Sequence, residues 1–125
     1  MFIKLLTIFA GGGIGALLRY GASLLAGKYC ASALPGTFAV NMIGCLALGA
    51  VYGATQGKLA CLSEEMRLFI SVGLLGALTT FSTLSWETLA LLRAGRFMCG
   101  AAYLLLSCAL GLLCAGVGYY LAHGR

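Results

Sequence analysis

Charge is what this sequence has least of. Asp, Glu, Lys and Arg make up 9% of its 125 residues, as eight basic and three acidic side chains. A soluble fold of this size leaves much of its surface in water, and so few charges could not cover that surface. Acid is scarcest. Three carboxylates form no buried pair for general acid–base work, and the spans lack the acid a proton-coupled cation transporter needs. The single histidine, His123, lies in the C-terminal tail, and no hydroxyl has a partner base that would make it a nucleophile. An enzyme is not expected. The net charge of +5 is spread over single Lys and Arg residues and never forms a patch, which argues against nucleic acid as a partner. Six cysteines show no CxxC spacing and mostly lie in apolar runs, where a thiol packs as a small hydrophobe. They are read as reduced and structural.

What the chain has in quantity is apolar length. Hydrophobic residues reach 62% and the mean hydropathy is +1.03, which points to an integral membrane protein. A spanning helix needs about 20 mostly apolar residues, so the runs accommodate four spans, at about 5–26, 37–55, 66–92 and 97–122, in a single membrane domain over residues 1–125. Residues 28–36, KYCASALPG, read as a loop with Pro35 at a helix start, and residues 57–65, GKLACLSEE, as another. Ser63 is placed to cap a helix whose first turn holds Glu64 and Glu65. Arg93-Ala94-Gly95-Arg96 reads as a helix end with a left-handed glycine cap, making spans three and four antiparallel neighbours. No Ala-x-Ala-like cleavage context follows the first run, so it is expected to stay as a span. Small-xxx-small spacings at Gly11/Gly15, Gly12/Ala16, Gly49/Gly53 and Gly111/Ala115 imply tight helix packing, within one chain or between copies.

The third span carries a weak point. Thr79-Thr80-Phe81-Ser82-Thr83 places four hydroxyls in five positions near mid-membrane, after Gly73 and Gly76. Two readings fit: a continuous helix whose hydroxyls bond back to carbonyls one turn earlier, or a broken helix whose freed carbonyls line a path or bind an ion. Arg19, Asn41, Glu87 and Ser107 are the other polar groups within spans. Arg19 and Glu87 either snorkel or face an interior, and Asn41 and Ser107 either join helices or line a path. An interior offering Asn41, Thr80, Ser82, Thr83, Ser107 and a guanidinium is rich in donors, which favours a small anion over a cation.

GGGIGALLRY (11–20), PGTFAVNMIGC (35–45) and GLLGALTTFSTLSWE (73–87), in this order, resemble the Fluc/CrcB fluoride channels over nearly the whole chain. The resemblance implies an all-α, four-span fold with the third helix broken at mid-membrane, and an antiparallel, dual-topology homodimer in the bilayer of a prokaryotic inner membrane. It implies passive export of fluoride, with a structural Na⁺ at the dimer centre held by backbone carbonyls of Gly76 and Thr79. It places Asn41, Phe81, Ser82, Thr83, Tyr103 and Ser107 along the fluoride pathway, and Arg19 in a structural or vestibular position. Two departures stand out. The family's second phenylalanine is Leu84 here, which lacks the positive ring edge that can face an anion. Positions 111 and 115 are Gly and Ala where some relatives carry hydroxyls, shortening the hydroxyl track.

Two alternatives belong to other classes: a small multidrug-type cation transporter, which needs an early membrane carboxylate absent from span one, and a non-transporting membrane assembly protein. Charge counting supports dual topology without the resemblance. With four spans, Lys4, Lys58, Arg67 and Arg125 share one side, and Lys28, Arg93 and Arg96 the other. An excess of one basic residue gives almost no bias in orientation.

Overall fold

A computed structural model of the protein describes residues 1–30, 32–56 and 62–123. Lys58, Cys61 and Arg125, which enter the loop, thiol and charge readings above, lie outside the described residues. Every regular element among the described residues is helical: α1 (Phe2–Cys30), α2 (Leu34–Gln56), α3 (Glu64–Arg67), a π-helix π1 (Leu68–Leu75), α4 (Gly76–Leu78), α5 (Phe81–Arg93) and α6 (Phe97–His123). Four stretches are long and apolar enough to cross a membrane: α1, α2, the run from Glu64 to Arg93, and α6. Their outer faces carry large apolar side chains such as Leu17, Leu105 and Leu112, the last 76% exposed, so the protein presents hydrocarbon outwards and small residues inwards.

The helix ends follow local chemistry. The Ser63 hydroxyl accepts from the Met66 amide at 3.2 Å, which caps α3. At the other end of the third span, Gly95 takes φ +75°, with its amide donating to Leu92 O at 3.0 Å and that of Arg96 to Leu91 O at 2.9 Å. This pair of bonds is the Schellman closure, and it turns the chain directly into α6. The loop expected over 28–36 is shorter than its composition suggests. α1 runs on to Cys30 and α2 starts at Leu34, with Pro35 in its first turn. Lys28 reads as loop by polarity, but a cation in the last turn complements the helix dipole and prolongs the helix.

Two close helix contacts organise the rest. α1 packs on π1, where a Cβ at Gly11 or Gly15 would strike the carbonyl oxygen of Phe69 or Leu74. α2 packs on α6, where a Cβ at Gly49, Gly53 or Gly118 would strike the carbonyl of Ala115, Tyr119 or Leu46. Three of the small-residue spacings thus meet partners inside one chain, whereas nothing lies within 4 Å of a Cβ built at Gly12. Between these contacts sits an apolar core of Val40, Leu75 and Leu78. π1 was not expected. Its wider turns bring the Gly76 amide back to the carbonyl of Ser71, five residues earlier.

Candidate functional site

Helical geometry ends at Leu78. Thr79 (φ −81°, ψ 150°) and Thr80 (φ −151°, ψ 113°) are extended, and the helix resumes at Phe81. The extended residues are held from α2. The Thr80 amide donates to Asn41 Oδ1 at 2.8 Å, and Asn41 Nδ2 donates to the Thr80 carbonyl at 3.3 Å. One side-chain amide therefore satisfies both backbone groups of a residue that no helix turn can serve. Thr80 in turn caps α5, its Oγ1 accepting from the Thr83 amide at 3.1 Å.

These bonds release two carbonyls. In a continuous α-helix the oxygens of Gly76 and Thr79 would accept from the amides of Thr80 and Thr83. Both amides are given instead to side chains, of Asn41 and Thr80 respectively. The Gly76 and Thr79 oxygens are hard, neutral donors of the kind that alkali and alkaline-earth cations take. The hydroxyl of Thr79 is not free, since it bonds back to Leu75 O at 2.9 Å.

Beside the break lies an open groove of about 410 Å³, lined by residues of α2, α5 and α6 with Thr79 and Thr80. Asn41, Phe81, Leu84 and Ser107 all border it. Phe81 is 72% exposed in the single chain, and Leu84 is buried. Ser107 is 5% exposed, and its Oγ has no hydrogen-bond partner. A hydroxyl left unpaired in such a place is uncommon, because buried polar atoms nearly always find partners. Ser82 and Thr83 stand one step away as a hydroxyl cluster: Thr80 Oγ1 lies 3.1 Å from Ser82 Oγ and donates to Thr83 Oγ1 at 3.0 Å.

The other named residues lie apart from this groove. Tyr103 donates to Glu87 Oε2 at 2.7 Å, and Thr37 Oγ1 donates to Glu87 Oε1 at 2.8 Å. Glu87 is thus neither snorkelling nor idle; it is the acceptor that joins α2, α5 and α6. A second pocket of about 220 Å³ leads to it, bordered by Ser32 and Arg96. Arg19 is half-buried on α1 and borders neither pocket. The structure therefore brings together Asn41, Thr79, Phe81 and Ser107, with Ser82 and Thr83 adjoining, and sets Tyr103 and Arg19 elsewhere. Sequence reasoning missed Thr37, and it saw Thr80 only as one hydroxyl among several. The signal available for Thr37 was weak: a lone carboxylate inside a span requires donors, and a hydroxyl near a helix start is one candidate.

The family described as CrcB-like protein, Camphor Resistance (CrcB), matches residues 6–119. Among curated relatives, a protein of Salinibacter ruber is 45% identical over 117 residues, covering 93% of this chain and 86% of its own length. Another, of Desulfotalea psychrophila, is 41% identical, covering 95% of this chain and 91% of its own. A third, of Shewanella amazonensis, is 42% identical and covers 98% of each. All three carry the name fluoride-specific ion channel FluC. With a family match across almost the whole chain and relatives this similar from end to end, the protein belongs to the CrcB family.

Proposed function

We propose that the protein is a fluoride-selective channel through which F⁻ leaves the cytoplasm passively. The observation that carries this reading is the buried, unpartnered Ser107 hydroxyl on a groove at the Thr79–Thr80 break, in a chain whose relatives are named for fluoride conduction. Hydrogen fluoride is a weak acid that crosses lipid uncharged and dissociates at neutral pH, so the anion is trapped unless a pore exists. Fluoride holds its water strongly, and a narrow path must offer donors in exchange.

The chain supplies them in order. Ser107 contributes its free hydroxyl, Phe81 a positively polarised ring edge, and Asn41 the amide hydrogen not used on Thr80. Thr83 accepts from Thr80 and keeps its own hydroxyl proton, and Ser82 extends the track. Tyr103 has its proton on Glu87, so an ion passing there would compete with a carboxylate for it. Arg19, half-buried on α1 and away from both pockets, keeps a structural place in this reading.

The working unit is an antiparallel homodimer in the inner membrane, with a two-fold axis in the membrane plane that lets the two breaks meet at mid-depth. The freed oxygens of Gly76 and Thr79 suit a central Na⁺, which when bound supplies a fixed positive charge between the breaks. The open Gly12 face of α1 is available for packing between copies.

The decisive experiment reconstitutes purified protein in liposomes and compares F⁻ with Cl⁻ efflux. Fast fluoride loss without chloride loss is expected; equal rates, or no flux from well-folded protein, would overturn the reading. C-terminal reporters active on only one side of the membrane test the dimer. Signal from both is expected, and one fixed orientation would end the antiparallel arrangement.

A further inference from the structure

π1 lies against glycine. Gly11 and Gly15 of α1 are buried, and what stands opposite each is backbone of the third span. In a π-helix the Leu74 amide is served by the Phe69 carbonyl, five residues earlier. A Cβ built at Gly11 would lie 2.5 Å from that carbonyl oxygen and 3.0 Å from that amide nitrogen. One turn on, a Cβ at Gly15 would strike the Leu74 carbonyl and lie 3.0 Å from the Leu78 amide nitrogen, the pair that an α-helical bond joins. From the other side, a Cβ at Gly73 would lie 2.8 Å from the Ile8 carbonyl oxygen. The hydrogen bonds change spacing along this contact: the Gly76 amide reaches back five residues to Ser71 O, and the Thr79 amide four, to Leu75 O at 3.0 Å. None of the residues lining the groove beside the break belongs to α1.

From this change of spacing we infer that Gly11 and Gly15 are positioning residues for the break, acting on the proposed fluoride path without touching it. A π turn holds one residue more than an α turn and is wider, and against α1 only residues without a Cβ leave room for it. With a methyl group at position 11 or 15, the third span has to narrow towards α spacing. Narrowing without the loss of a residue turns whatever follows by one residue of helix, about 100°. On one side π1 is held along the glycines of α1; on the other, Thr80 is held by the two Asn41 bonds, one of them 3.3 Å long. The rotation therefore falls on Thr79 and Thr80. The Thr80 amide leaves Asn41 Oδ1, and the Gly76 and Thr79 carbonyls turn from their present directions. The consequence for fluoride rests on the channel reading, whereas the coupling of α1 to Thr80 does not.

The test compares Gly11→Ala and Gly15→Ala with Gly13→Ala in the full chain. Nothing lies within 4 Å of a Cβ at Gly13, so this variant controls for helix propensity. Amide hydrogen exchange, read by NMR in detergent micelles, reports on Thr80 directly. Gly11→Ala and Gly15→Ala should each speed exchange at Thr80 by about 10-fold or more, and Gly13→Ala should not. Fluoride efflux from liposomes should fall by about 2- to 30-fold in the first two and hold in the third. Because the effect runs through the Asn41 bonds, adding Gly11→Ala to Asn41→Ala should cost little further efflux. A purely local packing role would lower Tm yet leave Thr80 protected and the two substitutions additive, and that result would overturn the proposal. If Gly11→Ala does not fold, deleting Val72, 51% exposed within π1, removes the extra residue and should restore folded protein with Thr80 protected. A deletion that restores nothing would equally overturn it. Faster Thr80 exchange in Gly11→Ala, in a protein whose parent conducts no fluoride, would uphold the positioning and place the failure in the channel reading.

Discussion

Near the start of α2, the Glu87 carboxylate takes hydrogen bonds from Thr37 and Tyr103, and Thr37 is 1% exposed. At the Thr79–Thr80 break, Ser107 is almost as buried and has no partner at all. Both clusters lie among helices with apolar outer faces, and each borders a pocket. In the first, each donor has an acceptor, so the cluster ties three helices together. In the second, one donor remains unspent, as the fluoride path proposed above requires. If the proposed path is right, the contrast separates polar groups that hold the fold from polar groups that serve transport, and it can be tested by removing members of each.

The largest loss of stability should follow Glu87→Ala, which orphans two donors joined by bonds of 2.7 and 2.8 Å. Hydrogen bonds between membrane helices are individually modest, because the unfolded chain in lipid also finds partners, so the pair is worth about 1–3 kcal/mol. Thermal unfolding in detergent should show a clear fall in Tm. An unchanged Tm would mean the cluster holds nothing. Asn41→Ala should come next. It also removes two bonds, but the one to the Thr80 carbonyl is 3.3 Å long, and the expected loss is about 1–2 kcal/mol. Here flux should fall further than stability does, since the break itself shifts. Asn41→Asp sharpens the point: it keeps the acceptor for the Thr80 amide yet brings a carboxylate to the groove proposed to carry the anion, and efflux should be nearly abolished in folded protein.

What the sequence disclosed follows the range of the interactions. The four spans were readable because runs of apolar residues are long and their breaks are charged or polar. The Ser63 cap and the Gly95 closure were readable because each is made within a turn of chain. The two polar clusters were not readable in full. Thr37 and Glu87 are 50 positions apart, and Asn41 and Thr80 are 39 apart, so their pairing depends on how helices pack. The threonines at 79 and 80 mark where helix is weakest, but not which side chain replaces the lost bonds. π1 left no trace in composition, because widening a turn by one residue alters neither hydropathy nor propensity. Its evidence is tertiary: Gly11, Gly15 and Gly73 let α1 and π1 approach backbone to backbone.

Phe81→Ile moves the comparison from stability to transport. The ring is 72% exposed in the single chain, so its loss should cost the fold about 0.5 kcal/mol or less. Leu84 already fills the neighbouring position without a ring, which leaves Phe81 as the aromatic edge on this groove. Efflux should therefore drop strongly while the size-exclusion profile and Tm stay as they were. Near-native flux would remove the ring from the pathway.

The smallest expected change in stability, and the sharpest separation of the two clusters, belongs to Ser107→Ala. Burying a hydroxyl without a partner costs free energy, and alanine removes that cost while leaving the helix and nearly the same volume. The substitution should leave Tm unchanged or raise it slightly, in contrast to the fall for Glu87→Ala. Its effect on fluoride should be the opposite in weight. A donor that no protein group uses is available to a dehydrated anion, and its removal should slow efflux with the fold intact. Ser107→Thr, which keeps the hydroxyl and adds a methyl group beside the groove, should retain more flux than alanine. If Ser107→Ala lowers Tm as Glu87→Ala does, the hydroxyl has a structural partner and the two clusters are of one kind. If both Tm and efflux match the parent protein, the groove beside Ser107 does not carry the ion.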